Sequence, residues 1–179
     1  MKATVTKMTY LTLSTFLAVL ALAPAFQATV LATSATSFSF NLIRPNNSLA
    51  ESTIPGTPIA AGDVLSLTCS GSFDTLAGTA SGGGSFTHYK PDGTVFARGT
   101  WVVTGFQSFS SYGGPNPGIQ GGLLLLTVTI SGPEATFTGL TLQVSCVVNA
   151  PAGAPDEGTT LLGLFSVPIG GTTLFHINS

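Results

Sequence analysis

The sequence predicts an all-β domain, an antiparallel sandwich or small barrel of about eight strands closed by one disulfide. Three observations lead there. After residue 32 no segment sustains a 3.6-residue apolar period, and short alternating runs are separated by Gly and Pro clusters. These runs recur at roughly 8–12 residues, the spacing of sandwich and barrel strands. Charged residues make up 7% of the chain, against about 25% in ordinary soluble proteins, while hydrophobic residues reach 44%. A core is therefore available, and the wet faces fall to Thr, Ser and Gly.

The chain opens on an expected secretory signal at residues 1–25. Lys2 and Lys7 supply a positive start, Leu11 to Leu22 an apolar stretch, and Ala23-Pro24-Ala25 a small-residue cleavage site. A second such site, Val30-Leu31-Ala32, allows cleavage up to residue 32, leaving 33–179 as one domain. Pro24 and Gln27 end the apolar run before the roughly 20 residues that a membrane span requires. No stable span is expected after cleavage.

The strands then follow in order. Ser37 to Ile43 places Phe38, Phe40 and Leu42 on one face. Residues 44–62, punctuated by proline, read as an exposed connection, with a possible glycosylation sequon at Asn46-Asn47-Ser48. Asp63 to Cys69 aligns Leu65, Leu67 and Cys69. A turn within 72–78 leads to a Gly-rich strand, Thr79 to Lys90, and then to Thr94 to Phe106. Ser110–Gly122 (SSYGGPNPGIQGG) reads as a long loop, a place where recognition often resides, with Tyr112, Asn116 and Gln120 in it. Leu123 to Ser131 points Leu124, Leu126, Val128 and Ile130 inward. Gly132-Pro133-Glu134 turns the chain into Phe137 to Val148, where Leu140, Leu142, Val144 and Cys146 share a face. Strands at 159–167 and 172–177 follow a polar loop at 149–158. Both cysteines thus face the core, and an exported chain would be expected to join Cys69 to Cys146.

One hairpin is specified in detail. In Lys90-Pro91-Asp92-Gly93-Thr94, Pro presets φ, Asp accepts a local bond and Gly takes the left-handed position. A three-residue loop pairs Lys90 with Thr94, and the register then runs Tyr89–Val95, His88–Phe96, Thr87–Ala97, Phe86–Arg98 and Gly83–Trp101. That register puts Tyr89, Val95, Ala97, Gly99, Trp101 and Val103 on the core face. Phe86, His88, Lys90, Phe96 and Arg98 then stand on the other, and a one-residue slip would reverse these assignments. The stretch from Gly78 through Trp101 (GTASGGGSFTHYKPDGTVFARGTW) resembles hairpins of small secreted antiparallel barrels, avidin-like and lipocalin-like ones among them. The resemblance covers this one hairpin and implies architecture alone.

Composition narrows function by exclusion. Beyond the signal, three basic residues (Arg44, Lys90, Arg98) stand against seven acidic ones, a net charge of −4. Nucleic acid is thus not an expected partner, since phosphate binding requires clustered Lys and Arg. No Gly-x-Ser-x-Gly elbow is present, Gly82-Gly83-Gly84 lacks the Lys and helix of a phosphate loop, and the two cysteines and two histidines lack metal-ligand spacing. No cofactor, metal or catalytic residue is expected. Asp63, Asp74, Asp92, Asp156 and Glu157 fall at turns or loops, where turn chemistry accounts for them, and Asp156-Glu157 is too slight a signal for calcium.

Phe86, His88, Phe96 and Arg98 form the one candidate ligand-binding set. Two rings, an imidazole and a guanidinium suit an anionic or planar ligand. The expected function is a secreted, non-enzymatic binding or surface module with an extracellular ligand or partner. A small-ligand barrel using these four residues is the alternative. A cofactor-free enzyme is the second, favoured if His88 or His176 lies buried in a cavity with a carboxylate.

Overall fold

The structure, a computed structural model, describes residues 36–42, 48–56 and 58–178. The expected signal peptide and Asn46 of the sequon lie outside these residues. Eleven strands are described: β1 (Ser37–Leu42), β2 (Ser48–Glu51), β3 (Val64–Leu67), β4 (Ser70–Asp74), β5 (Thr79–Tyr89), β6 (Val95–Asn116), β7 (Ile119–Ser131), β8 (Thr136–Cys146), β9 (Gly158–Leu161), β10 (Val167–Gly170) and β11 (Thr173–Ile177). All pair antiparallel, and no described residue is helical.

The all-β expectation is met with more strands than sequence pattern separates. The connection 44–62 contains β2, which pairs β3 on one side and β10 on the other. The turn expected within 72–78 falls at Thr75–Gly78, and the strand β4 that leads into it, up to Asp74, is the element the pattern did not separate. The expected 110–122 loop is the continuation of one hairpin. There β6 and β7 stay paired from Thr100–Ser131 to Asn116–Ile119, through four register shifts. Glycines hid this strand from the pattern because they interrupt alternation while tolerating the bulges.

Six pairings form a closed circuit: β5 with β6, β6 with β7, β7 with β11, β11 with β1, β1 with β4, and β4 with β5. Phenyl groups from four strands of the circuit meet inside it. Phe73 on β4 lies 5.0 Å from Phe38, 4.8 Å from Phe109, 5.9 Å from Phe175 and 6.0 Å from Phe106, ring centre to ring centre. The same core also takes in Leu65, Leu67, Trp101, Leu126, Leu142 and Val144. The inward run Leu124, Leu126, Val128, Ile130 is buried as expected.

Two further expectations are corrected. Cys69 and Cys146 are both buried, as period-two alternation requires, but they are free thiols and not a disulfide. Cys69 sits in the break between β3 and β4 with its thiol on Thr159, whereas the thiol of Cys146 meets Thr173 at the start of β11. Alternation fixes which way a side chain points, not which neighbour it meets. Burial pushes the Cys69 thiol up to about 12.

The hairpin register is the other. Lys90 does bond Thr94 across the turn, Gly93 has φ +83°, and Tyr89 pairs with Val95. Phe96 is then left unpaired as a bulge, so that His88 pairs with Ala97, Thr87 with Arg98, Phe86 with Gly99 and Gly84 with Trp101. Beyond the bulge the β6 face is as expected, with Trp101 inward and Arg98 outward. But Val95, expected in the core, is exposed, Phe96 packs on His88, and the slip turns Phe86 and His88 inward.

The glycine opposite Trp101 is therefore Gly84, and the space it leaves is taken by backbone. A Cβ on Gly84 would stand 2.0 Å from the Thr68 carbonyl oxygen, and that oxygen accepts the Trp101 Nε1–H at 2.9 Å. Because the Thr68 carbonyl is directed to the indole, the Ser85 amide bonds the Thr68 hydroxyl instead, at 2.7 Å.

Candidate functional site

The register places one polar cluster in an otherwise apolar interior. Val64 pairs with Tyr89 and Leu65 with His88, so the pairing carried one step further sets Asp63 across from Lys90. Alternation along β3 turns Asp63 to the same inward face as Leu65 and Leu67. Asp63 is wholly buried, and His88 is 5% exposed.

Asp63 Oδ2 accepts three hydrogen bonds: from His88 Nε2 at 2.7 Å, Lys90 Nζ at 2.9 Å and the Ala60 amide at 3.0 Å. The other oxygen, Oδ1, is buried and receives none. Burial pushes the Asp63 carboxyl upward, but the bonds from Lys90, Ala60 and His88 outweigh it and hold the group below its ordinary value. Lys90 Nζ also donates to the Pro58 carbonyl at 2.7 Å and lies 4.3 Å from the centre of the Phe96 ring. Phe96 and Phe165 meet the imidazole edge-on, their centres 4.9 and 5.2 Å away. The cluster thus clasps the segment ahead of β3 to the end of β5.

Of the four expected ligand-binding residues, the structure joins two. His88 and Phe96 are in contact, through the bulge that frees Phe96 to stand half exposed beside the imidazole. Phe86 is in the core, where its ring lies against Gly99 and Gly132, and Arg98 is exposed on the opposite face of β6. The residues that complete the cluster, Asp63 and Lys90, are by sequence pattern a turn acid and a hairpin end. The signal for Asp63 was available: it sits two residues before Leu65 on the same alternating face.

The enzyme reading required a histidine buried in a cavity with a carboxylate. His88 is buried with one, but phenyl rings take the space around it. His176 is a strand residue of β11, paired with Ser39 and Ile119. The carboxylate of Glu157 is engaged by the Val147 amide at 2.8 Å, the Thr173 amide at 2.7 Å and the Thr173 hydroxyl at 3.1 Å. It works as a staple between the ends of β8 and β11. A shallow groove of about 390 Å³ lies on the outer side of β3 and β5, bordered by Leu49, Val64, Tyr89 and Lys90.

The outward faces are of another character. Cross-strand register aligns Ser85 with Thr100, Thr100 with Ser131 and Ser131 with Thr136, and Thr68 extends the row through a 3.0 Å contact between its hydroxyl and that of Ser85. A second row pairs Val102 with Thr129, and Gln107 Nε2 bridges the hydroxyls of Thr127 and Thr141 at 3.1 Å each. Exposed Arg98 lies beside these rows, across from Thr87, and exposed Glu134 is in the turn that joins Ser131 to Thr136. Among the described residues no helix is long and apolar enough to cross a membrane. Comparison with known proteins finds no family model, no curated relative and no solved structure that matches this chain.

Proposed function

We propose that this chain is exported and acts outside the cell as a non-enzymatic β module that binds its partner through the outer face of β5–β8. The observation that carries the reading is the division of the molecule into a filled inside and a sparsely charged, hydroxyl-rich outside. Phenyl groups occupy the space enclosed by the strand circuit, which we read as a small closed barrel without room for a ligand in its middle. The row Thr68–Ser85–Thr100–Ser131–Thr136 crosses five chain segments and offers donors, acceptors and methyl groups in register. Such a face suits a neutral, hydroxyl-bearing partner such as a surface polysaccharide better than a charged one.

The test is retention of the secreted protein on the envelope of the cells that make it. Thr100→Lys and Thr129→Lys, on exposed or half-exposed outward positions, should release the protein into the medium while leaving its unfolding midpoint nearly unchanged. Retention equal to that of the unaltered chain would refute the assignment of this face. A carrier reading draws support from the groove beside Tyr89 and Lys90, which would place a small ligand on the outer side of β3 and β5.

A further inference from the structure

We propose that Lys90 and Asp63 join in an intramolecular amide, with His88 as the catalytic proton relay. Three features of the clasp point to a reaction rather than to an ion pair alone. The amine and the carboxyl are already in contact at 2.9 Å, on chain segments held in register by the β3–β5 pairing, so the two groups meet without a search. The oxygen that contacts Lys90 is also the one that His88 Nε2 touches at 2.7 Å, so the group that would leave has a proton carrier on it. Finally, Asp63 Oδ1 is buried without a partner, an arrangement costly for a carboxylate and less so for the carbonyl oxygen of a neutral amide.

The atoms balance without another reagent. The ammonium of Lys90 gives one proton to Asp63 Oδ2 and becomes an amine. Its Nζ forms a bond to Cγ, the Cγ–Oδ2 bond breaks, and Oδ2 departs as water with a second proton delivered from Nζ through His88. Oδ1 remains as the amide oxygen. The one hydrogen left on Nζ keeps its acceptor, the Pro58 carbonyl at 2.7 Å. Phe96 and Phe165 shield the imidazole, while the Lys90 side chain, 28% exposed, leaves the water a way out. The product is a covalent link between the segment ahead of β3 and the end of β5, in a fold whose two cysteines supply none.

The experiment is an intact mass of the full chain under denaturing conditions, followed by a chymotryptic digest, which cuts between the two residues after Phe73 and Phe86. The expected result is a chain lighter by one water and a peptide pair joined through Asp63 and Lys90. Lys90→Arg keeps a cation against Asp63 but has no amine to acylate, and should fold with the full mass. His88→Gln should fold and retain the full mass far longer after refolding; cross-linking at the unaltered rate would remove His88 from the mechanism. Folding of each variant is read from the fluorescence of Trp101. A folded, unaltered chain of full mass would overturn the proposal. So would a water loss that maps to Asp92-Gly93, where a cyclic imide gives the same mass change, and that persists in Lys90→Arg.

Discussion

Gly84→Ala is expected to be among the most damaging single-methyl additions in this chain. The new Cβ would lie 2.0 Å from the Thr68 carbonyl oxygen, whereas ordinary contact begins at 3.4 Å, so backbone must move by more than 1 Å. Backbone here cannot yield independently. The Thr68 amide is bonded to the Ser85 carbonyl at 3.0 Å and its hydroxyl to the Ser85 amide at 2.7 Å, one residue from the substitution. Moving the carbonyl also withdraws the acceptor of Trp101 Nε1, in a side chain only 1% exposed. Overpacking costs about 1–3 kcal/mol, and a buried donor left unpaired costs about 1–3 kcal/mol. One displacement causes both, so we expect a loss of roughly 3 kcal/mol, a large part of the 5–15 kcal/mol of a typical domain. Trp101 is the single tryptophan, so urea unfolding followed by its emission reports on the affected site directly. Gly105→Ala is the control, since its Cβ would meet Thr127 atoms at 3.4 and 3.5 Å. A Gly84→Ala chain within about 0.5 kcal/mol of the unaltered one, the range of ordinary surface changes, would refute the reasoning.

Three other outcomes follow from the geometry. Glu157→Ala removes an acceptor from the Val147 and Thr173 amides and the Thr173 hydroxyl, and should cost about 2 kcal/mol in denaturant unfolding, the scale of hydrogen bonds to a charged group. A thiol reagent should find no reactive cysteine in the folded protein and two in denaturant without reductant; finding none in denaturant would mean a disulfide after all. The raised Cys69 thiol sets an alkaline limit. Its native form holds its proton to about pH 12, the unfolded thiol releases it near its ordinary value of 9.0, and stability attributable to it falls as pH rises through that window. Cys69→Ala should flatten the decline of unfolding free energy over the alkaline range.

The fold was legible where alternation runs unbroken. Leu124 to Ile130 and Leu140 to Cys146 state their buried faces in their spacing, and Pro91-Asp92-Gly93 states its turn. What was not legible depends on partners distant in the chain. The bulge at Phe96 leaves no local mark, yet it shifts the β5 residues from His88 back to Gly83 by one relative to β6. The 110–122 segment looked like a loop because Gly113, Gly114, Gly121 and Gly122 carry no side chain to alternate; a Cβ at Gly121 would meet the Val148 carbonyl at 1.7 Å. Asp63 looked like a solvated turn acid because His88 and Lys90 lie 25 and 27 residues away. Its position on the Leu65 face was visible, and burial of that face implied partners without naming them. The same limit explains the cysteines, whose inward direction was correct and whose pairing was not.

The central claim is that the inside of the strand circuit is filled by its own phenyl groups, so that any partner is met at the outer face. A native mass spectrum of the protein recovered from its own secretion tests this most directly. The account predicts the processed chain, as monomer or oligomer, without a small-molecule adduct. A stoichiometric non-covalent adduct that survives the Thr100→Lys and Thr129→Lys changes would contradict it.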